Sequence, residues 1–166
     1  MNTATRLRTP RIKVADEVWI ATALLHRENP RRADFEISEI IERVQREGLC
    51  DRLRPGVYQH IAQHCVANRP ASPGRYRMLF ATGRKTRRLF RPGDWSHASR
   101  RGAKTVPARE DIPAAYHPLL DWYEKDYAAA GRAQQDPILG LRGLGKDLWK
   151  GEDPDEYVRR LREGWA

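Results

Sequence analysis

The sequence predicts a mainly α fold with a small β-hairpin. Three observations carry that expectation. Apolar residues recur at helical spacing in three successive runs between residues 14 and 65. Two short aromatic and apolar runs around a glycine follow at residues 75–91. A fourth helical run, rich in aromatics, occupies residues 116–127.

Taken in order, Val14, Val18, Ala21 and Leu25 lie on one face of a first helix that ends near Asn29 and Pro30. Asp34-Phe-Glu-Ile37 alternates as a brief strand. Ser38 is the expected N-cap of a second helix, with Glu39 in its first turn. Ile37, Ile40, Ile41 and Val44 form its apolar stripe, and Gly48 closes it. Pro55 suits the first turn of a third helix. Its inner face is Val57, Ile61 and Cys65, its opposite face carries Gln59, His60, Gln63 and His64, and Asn68 and Pro70 end it. Arg75-Tyr-Arg-Met-Leu-Phe80 and Arg87-Arg-Leu-Phe-Arg91, joined through Gly83, make the hairpin. Helix, short strand, helix, helix and basic hairpin is the order of a winged helix-turn-helix domain, which assigns residues 13–92 to it behind a flexible N-terminus at 1–12. Residues 93–130 read as a linker and a packing helix. In that helix Tyr116, Leu119, Leu120, Tyr123 and Tyr127 share a face, approached through Asp111 and Pro113. Trp122 and three tyrosines are too much aromatic surface to leave in water, so the helix is expected to dock on the domain. From Gly131 the chain reads as an extended, partly helical C-terminal arm, residues 131–166.

The 166 residues leave room for one compact domain of about 100 residues plus an appendage. No apolar run is long enough for a membrane span, and the opening MNTATRLRTPRIKVADE lacks the apolar stretch of a signal peptide. Two cysteines, Cys50 and Cys65, among core-type residues point to a reducing, cytoplasmic setting. Charge is uneven: residues 1–110 hold 23 Lys+Arg against 11 Asp+Glu, residues 111–166 hold 8 against 11. A basic front with a mildly acidic rear suggests a polyanion-binding module joined to something different, against the plainer reading of an inert basic surface.

Gly140-Leu-Arg-Gly-Leu-Gly-Lys-Asp147 satisfies all but the last position of G-x-x-x-x-G-K-[ST]. Its hydroxyl position is Asp147, a carboxylate that would repel a nucleotide, and no buried strand precedes it. The match is accidental. His60 and His64 have a metal-ligand spacing with Cys65 adjacent, but Cys65 faces the other way and no further ligand lies near in sequence. No catalytic Ser/His/Asp or Cys/His arrangement stands out, so no enzyme and no cofactor are expected. A polar third-helix face suits the major groove, where Gln59 and Gln63 match adenine edges and His60 and His64 match bases or phosphates. Arg75, Arg77, Arg84, Lys85, Arg87 and Arg88 on the hairpin suit phosphate or minor-groove contact, with a merely solvated wing as the alternative.

In the arm, Leu141, Leu144 and Leu148 repeat at helical spacing beside Trp149. Asp153-Pro-Asp-Glu156 has the residues of a helix start, and Tyr157, Val158, Leu161 and Trp165 form a stripe after it. Two such short helices are unstable alone, so they fold either on this chain's own domain or on a partner. The run Asp136-Pro-Ile-Leu…Gly-Leu-Gly-Lys-Asp-Leu-Trp149 with Asp155-Glu-Tyr-Val-Arg-Arg-Leu-Arg-Glu-Gly-Trp165 resembles the C-terminal tail of VapB-type antitoxins. Those tails wrap a PIN-domain ribonuclease toxin and block its acidic metal site. The resemblance covers about 30 residues. It departs at the front, where such antitoxins carry a small swapped β or ribbon-helix-helix module and residues 13–127 look instead like a bacterial winged helix ending in a Leu-x-x-Trp-Tyr helix. It implies Leu141, Leu144, Leu148, Trp149, Tyr157, Leu161 and Trp165 as anchors, and Arg142 or Lys146 as the group that reaches the toxin's carboxylates. The expected function is therefore a non-enzymatic antitoxin that neutralises a ribonuclease toxin and binds its own promoter's double-stranded DNA, as a homodimer. The alternatives are a stand-alone winged-helix regulator whose arm packs on itself or in a dimer, and a protein-interaction adaptor that binds no nucleic acid.

Overall fold

The computed structural model describes residues 12–50 and 52–135, with residues 153, 159, 160, 162 and 163. The first apolar run forms α1 (Val14–Glu28), and it is buried on more than the one face its spacing promised. Every residue from Ala15 to Ala23 is inside. A helix surrounded on all sides needs small or apolar residues throughout, and Ala15, Ala21 and Ala23 let its neighbours approach closely. Asp16 and Glu17 are buried in its first turn, where the positive end of the helix dipole favours carboxylates. Each also has a cation: Lys104 Nζ lies 3.1 Å from Asp16, and Arg54 pairs with Glu17.

A two-residue strand β1 (Phe35–Glu36) leads directly into α2 (Ile37–Glu47). The cap is Glu36 rather than the expected Ser38. Glu36 and Glu39 form a reciprocal capping box, while Ser38 Oγ only donates to the Glu36 carboxylate at 3.3 Å. Gly48 closes the helix with φ of 62°, the left-handed conformation a glycine adopts without penalty. Helix α3 (Gly56–Gln59) continues as a wide π turn over His60–His64. Its inner face is Val57, Ile61 and Cys65, as their spacing predicts.

Strands β2 (Leu79–Ala81) and β3 (Thr86–Leu89) form the hairpin. With β1 they make a three-stranded antiparallel sheet in the order β1–β3–β2, Phe35 opposite Arg87 and Leu79 opposite Leu89. The described residues are thus mainly helical with a small sheet. Residues 93–116, expected as a linker, are bound to the body as a strap. His97 N donates to Ala67 O, Arg77 N to Lys104 O, and Lys104 bridges Asp16 and Asp111. Then come α4 (His117–Trp122), a second π turn (Tyr123–Tyr127) and α5 (Ala128–Gln135). Leu119, Tyr123 and Tyr127 are buried, and Tyr123 meets Trp19 of α1 edge-on with ring centroids 5.7 Å apart. The helical run continues through Gly131, the expected start of the arm, to Gln135. A Cβ at Gly131 would lie 2.8 Å from Arg91 Cδ, so α5 crosses Arg91 at glycine distance.

Candidate nucleic-acid interface

The polar face of α3 is less open than its sequence suggests. The Gln59 side chain is exposed with no hydrogen-bond partner among the described residues, and Tyr58 beside it is 54% exposed. His60 is half-buried, and its Nδ1 donates to Gly56 O at 2.8 Å; burial holds its imidazole below the ordinary histidine range. Gln63 Nε2 donates to Pro70 O at 2.8 Å. His64 packs edge-on to His60 at 5.0 Å and under Gly74, where a Cβ would lie 2.7 Å from the His64 Cβ. Its Nδ1 is buried with no hydrogen-bond partner among the described residues. Of the four expected readers, Gln59 alone stands clear. Cys65, adjacent to His64, lies wholly in the core, where burial pushes its thiol up. Among the described residues no three His, Cys, Asp or Glu side chains converge as a metal site.

The hairpin cations divide in the same way. Arg84 and Lys85 sit exposed at the tip beside Gly83, and neither side chain has an acceptor among the described residues. Arg75 is exposed at the approach to β2. Arg87, expected as a DNA contact, is 0% exposed. Its Nε donates to Ile61 O (3.1 Å), and its terminal nitrogens to Gly83, Thr86 and Ala62 carbonyls at 3.1, 2.7 and 3.2 Å. It braces the hairpin against α3, and desolvation pulls its guanidinium down to about 10. Strand alternation could have found this, because Arg87 and Leu89 are two apart and Leu89 must face the core. Arg88 points to the opposite face but is committed as well. It grips Asp94 with both terminal nitrogens at 2.7 and 2.8 Å and lies over the Phe80 ring at 4.5 Å. Arg77 donates through Nε to Ala103 O at 3.2 Å and stacks on Phe90.

Tyr58 was not among the sequence candidates, and neither was Trp95, which is 64% exposed on the strap. Apolar periodicity gives no signal for either, since an exposed aromatic looks like a core one in sequence. The arm residues Leu141, Arg142, Leu144, Lys146, Leu148, Trp149, Tyr157, Leu161 and Trp165 lie outside the described residues, as does the Gly140–Asp147 match.

Comparison with known proteins gives no match: no family model, no curated protein and no solved structure matches the chain. Among the described residues no helix is long and apolar enough to cross a membrane.

Proposed function

We propose that this protein is a winged-helix DNA-binding antitoxin. Its helical body binds double-stranded promoter DNA as a homodimer, and its C-terminal arm neutralises a PIN-type ribonuclease toxin. The observation that carries the DNA-binding half is the exposed, uncommitted pair Arg84 and Lys85 at the hairpin tip. Three helices followed by a hairpin that pairs with the strand between the first two support the winged-helix reading. Charge at a turn tip does nothing for the fold and is well placed for phosphate or minor-groove contact. The internal commitments of His60, Gln63 and Arg87 favour a wing-led mode, with Tyr58 and Gln59 as the parts of α3 free to reach a groove. The antitoxin half rests on the resemblance of residues 136–165 to VapB-type tails.

Two experiments test the halves separately. Duplex binding by the full chain, followed across salt concentration, should weaken steeply, and Arg84→Ala with Lys85→Ala should lower the log–log salt slope by about 2. No duplex binding at about 50 mM salt would leave the adaptor reading in its place. For the arm, residues 131–166 immobilised in a lysate of the source organism should retain a small nuclease, identified by mass spectrometry. That retention should be lost with Leu148→Ala and Trp149→Ala. Duplex binding without a retained nuclease would favour the stand-alone regulator.

A further inference from the structure

An open cleft of about 560 Å³ lies between the end of the hairpin, the strap and the helices that follow. Its walls are Phe90, Val106, Pro107, Leu120 and Tyr123, an apolar and partly aromatic lining. The volume is that of a small-molecule site, and such sites pair an apolar lining with a few placed polar groups.

The polar groups here are unequal. Asp94 lines the cleft but is saturated, taking two hydrogen bonds from Arg88 and one from the Arg91 N–H at 2.7 Å. Tyr123 spends its hydroxyl on Phe90 O at 2.5 Å. Arg77 is different. Its Nε is used on Ala103 O, but neither terminal nitrogen has an acceptor among the described residues, although its guanidinium is held in place over the Phe90 ring at 5.6 Å. A half-buried guanidinium with its fork unoccupied, against an aromatic wall, has the geometry for a carboxylate on a flat apolar body. Glu124, the remaining charged group of the lining, is exposed and has no ion pair or hydrogen bond to its side chain among the described residues. It disfavours a dianion and leaves a monoanion as the matching charge.

We propose that this cleft binds a small aromatic monocarboxylic acid, its carboxylate on Arg77 and its ring between Phe90, Val106 and Leu120. Both feet of the hairpin stand in the wall: Arg77 is two residues before β2 and Phe90 directly follows β3. Occupancy would therefore be felt where the hairpin leaves the body. The proposal is independent of DNA or toxin binding.

The test is a methyl and amide NMR titration of the full chain with phenylacetate, with 2-phenylethylamine as the same body of opposite charge and acetate as the charge without the body. Phenylacetate is expected to shift the Val106 and Leu120 methyls saturably, with an affinity about 10-fold or more above that of the amine or acetate. Arg77→Gln should remove that preference, and Leu120→Trp should fill the cleft and abolish binding. Absence of a saturable phenylacetate shift, equal or tighter binding of the amine, or unchanged binding in Leu120→Trp would each overturn the proposal. Should Arg77→Gln fail to fold, the comparison of acid with amine in the native chain and the Leu120→Trp variant still decide it.

Discussion

Arg84, Arg87 and Arg88 sit within five residues of one hairpin, yet their surroundings give them three different roles. Arg87 has no anionic partner among the described residues and its whole fork is occupied by carbonyl oxygens, so removing it strands the carbonyls of Ile61 and Ala62 against the core. Arg87→Leu should cost about 3 kcal/mol in urea unfolding, while Arg84→Ala should change stability by less than about 0.5 kcal/mol. An equal effect of the two would remove the distinction between brace and contact. His26 makes a sharper residue-level case. It is wedged between Phe35 and Tyr127 with centroids at 4.9 Å from each, and its Nε2 accepts from Leu89 N–H at 3.4 Å. Burial, with Arg91 and Arg88 nearby, pulls it down to about 3 from an ordinary 6.5. The unfolded chain takes up that proton first, so this contribution is complete above pH 6.5 and is lost as pH falls toward 3. By pH 5 the loss is about 2 kcal/mol. In His26→Gln, whose carbonyl still accepts from Leu89 N–H, stability measured from pH 7 to pH 5 should fall by that much less than in the native protein.

Elements differ in how plainly their sequences announce them, and the difference follows from which part of the chain makes the contacts. Helices α1, α2 and α4, and the inner face of α3, are fixed by apolar side chains at helical spacing, so Val57, Ile61 and Cys65 could be assigned to the core directly. The strap at 93–116 is held by backbone carbonyls and single long cations, which leave no periodicity, and Pro, Gly and Ser made it look like a linker. The cap of α2 carries no plain signal for a related reason, since a glutamate at the N-cap is outside the usual set of capping residues. Arg100 is the clearest instance. It is 0% exposed and its guanidinium donates to the carbonyls of Gln63, His64, Arg69, Pro70, Gly74 and Tyr76, at 2.6 to 3.2 Å. One side chain thus ties the C-terminal end of α3, the loop after it and the strap together, with its charge at the negative end of the α3 helix. Arg100→Lys keeps the charge but offers three donors in place of a planar fork. It should cost about 2–4 kcal/mol, and amide exchange should accelerate at the loop residues 69–76 before it does in α1.

At the scale of the whole molecule, the question is whether the arm belongs to this body or to another protein. The body ends later than the change in sequence character at Gly131 suggests, because Ala128 is buried, Gly131 packs on Arg91, and α5 runs to Gln135. A chain ending at Ala130 would cut α5 and confuse loss of the body with loss of the arm, so the informative end point is Gln135. The expected anchors of the arm are Leu141, Leu144, Leu148, Trp149, Tyr157, Leu161 and Trp165. Were they buried against residues 12–135, each would contribute about 1.5–3 kcal/mol of transfer free energy before the entropy of ordering the arm is deducted. Removing them would then show as a net loss of several kcal/mol. Were they anchors for a toxin, the free protein would lose less than about 1 kcal/mol while neutralisation disappeared. The antitoxin reading therefore predicts that a chain ending at Gln135 unfolds in urea as the full chain does, binds duplex DNA with the same salt slope, and no longer protects RNA from the captured nuclease. A truncated chain that is several kcal/mol less stable would place the arm on its own body and favour the stand-alone regulator.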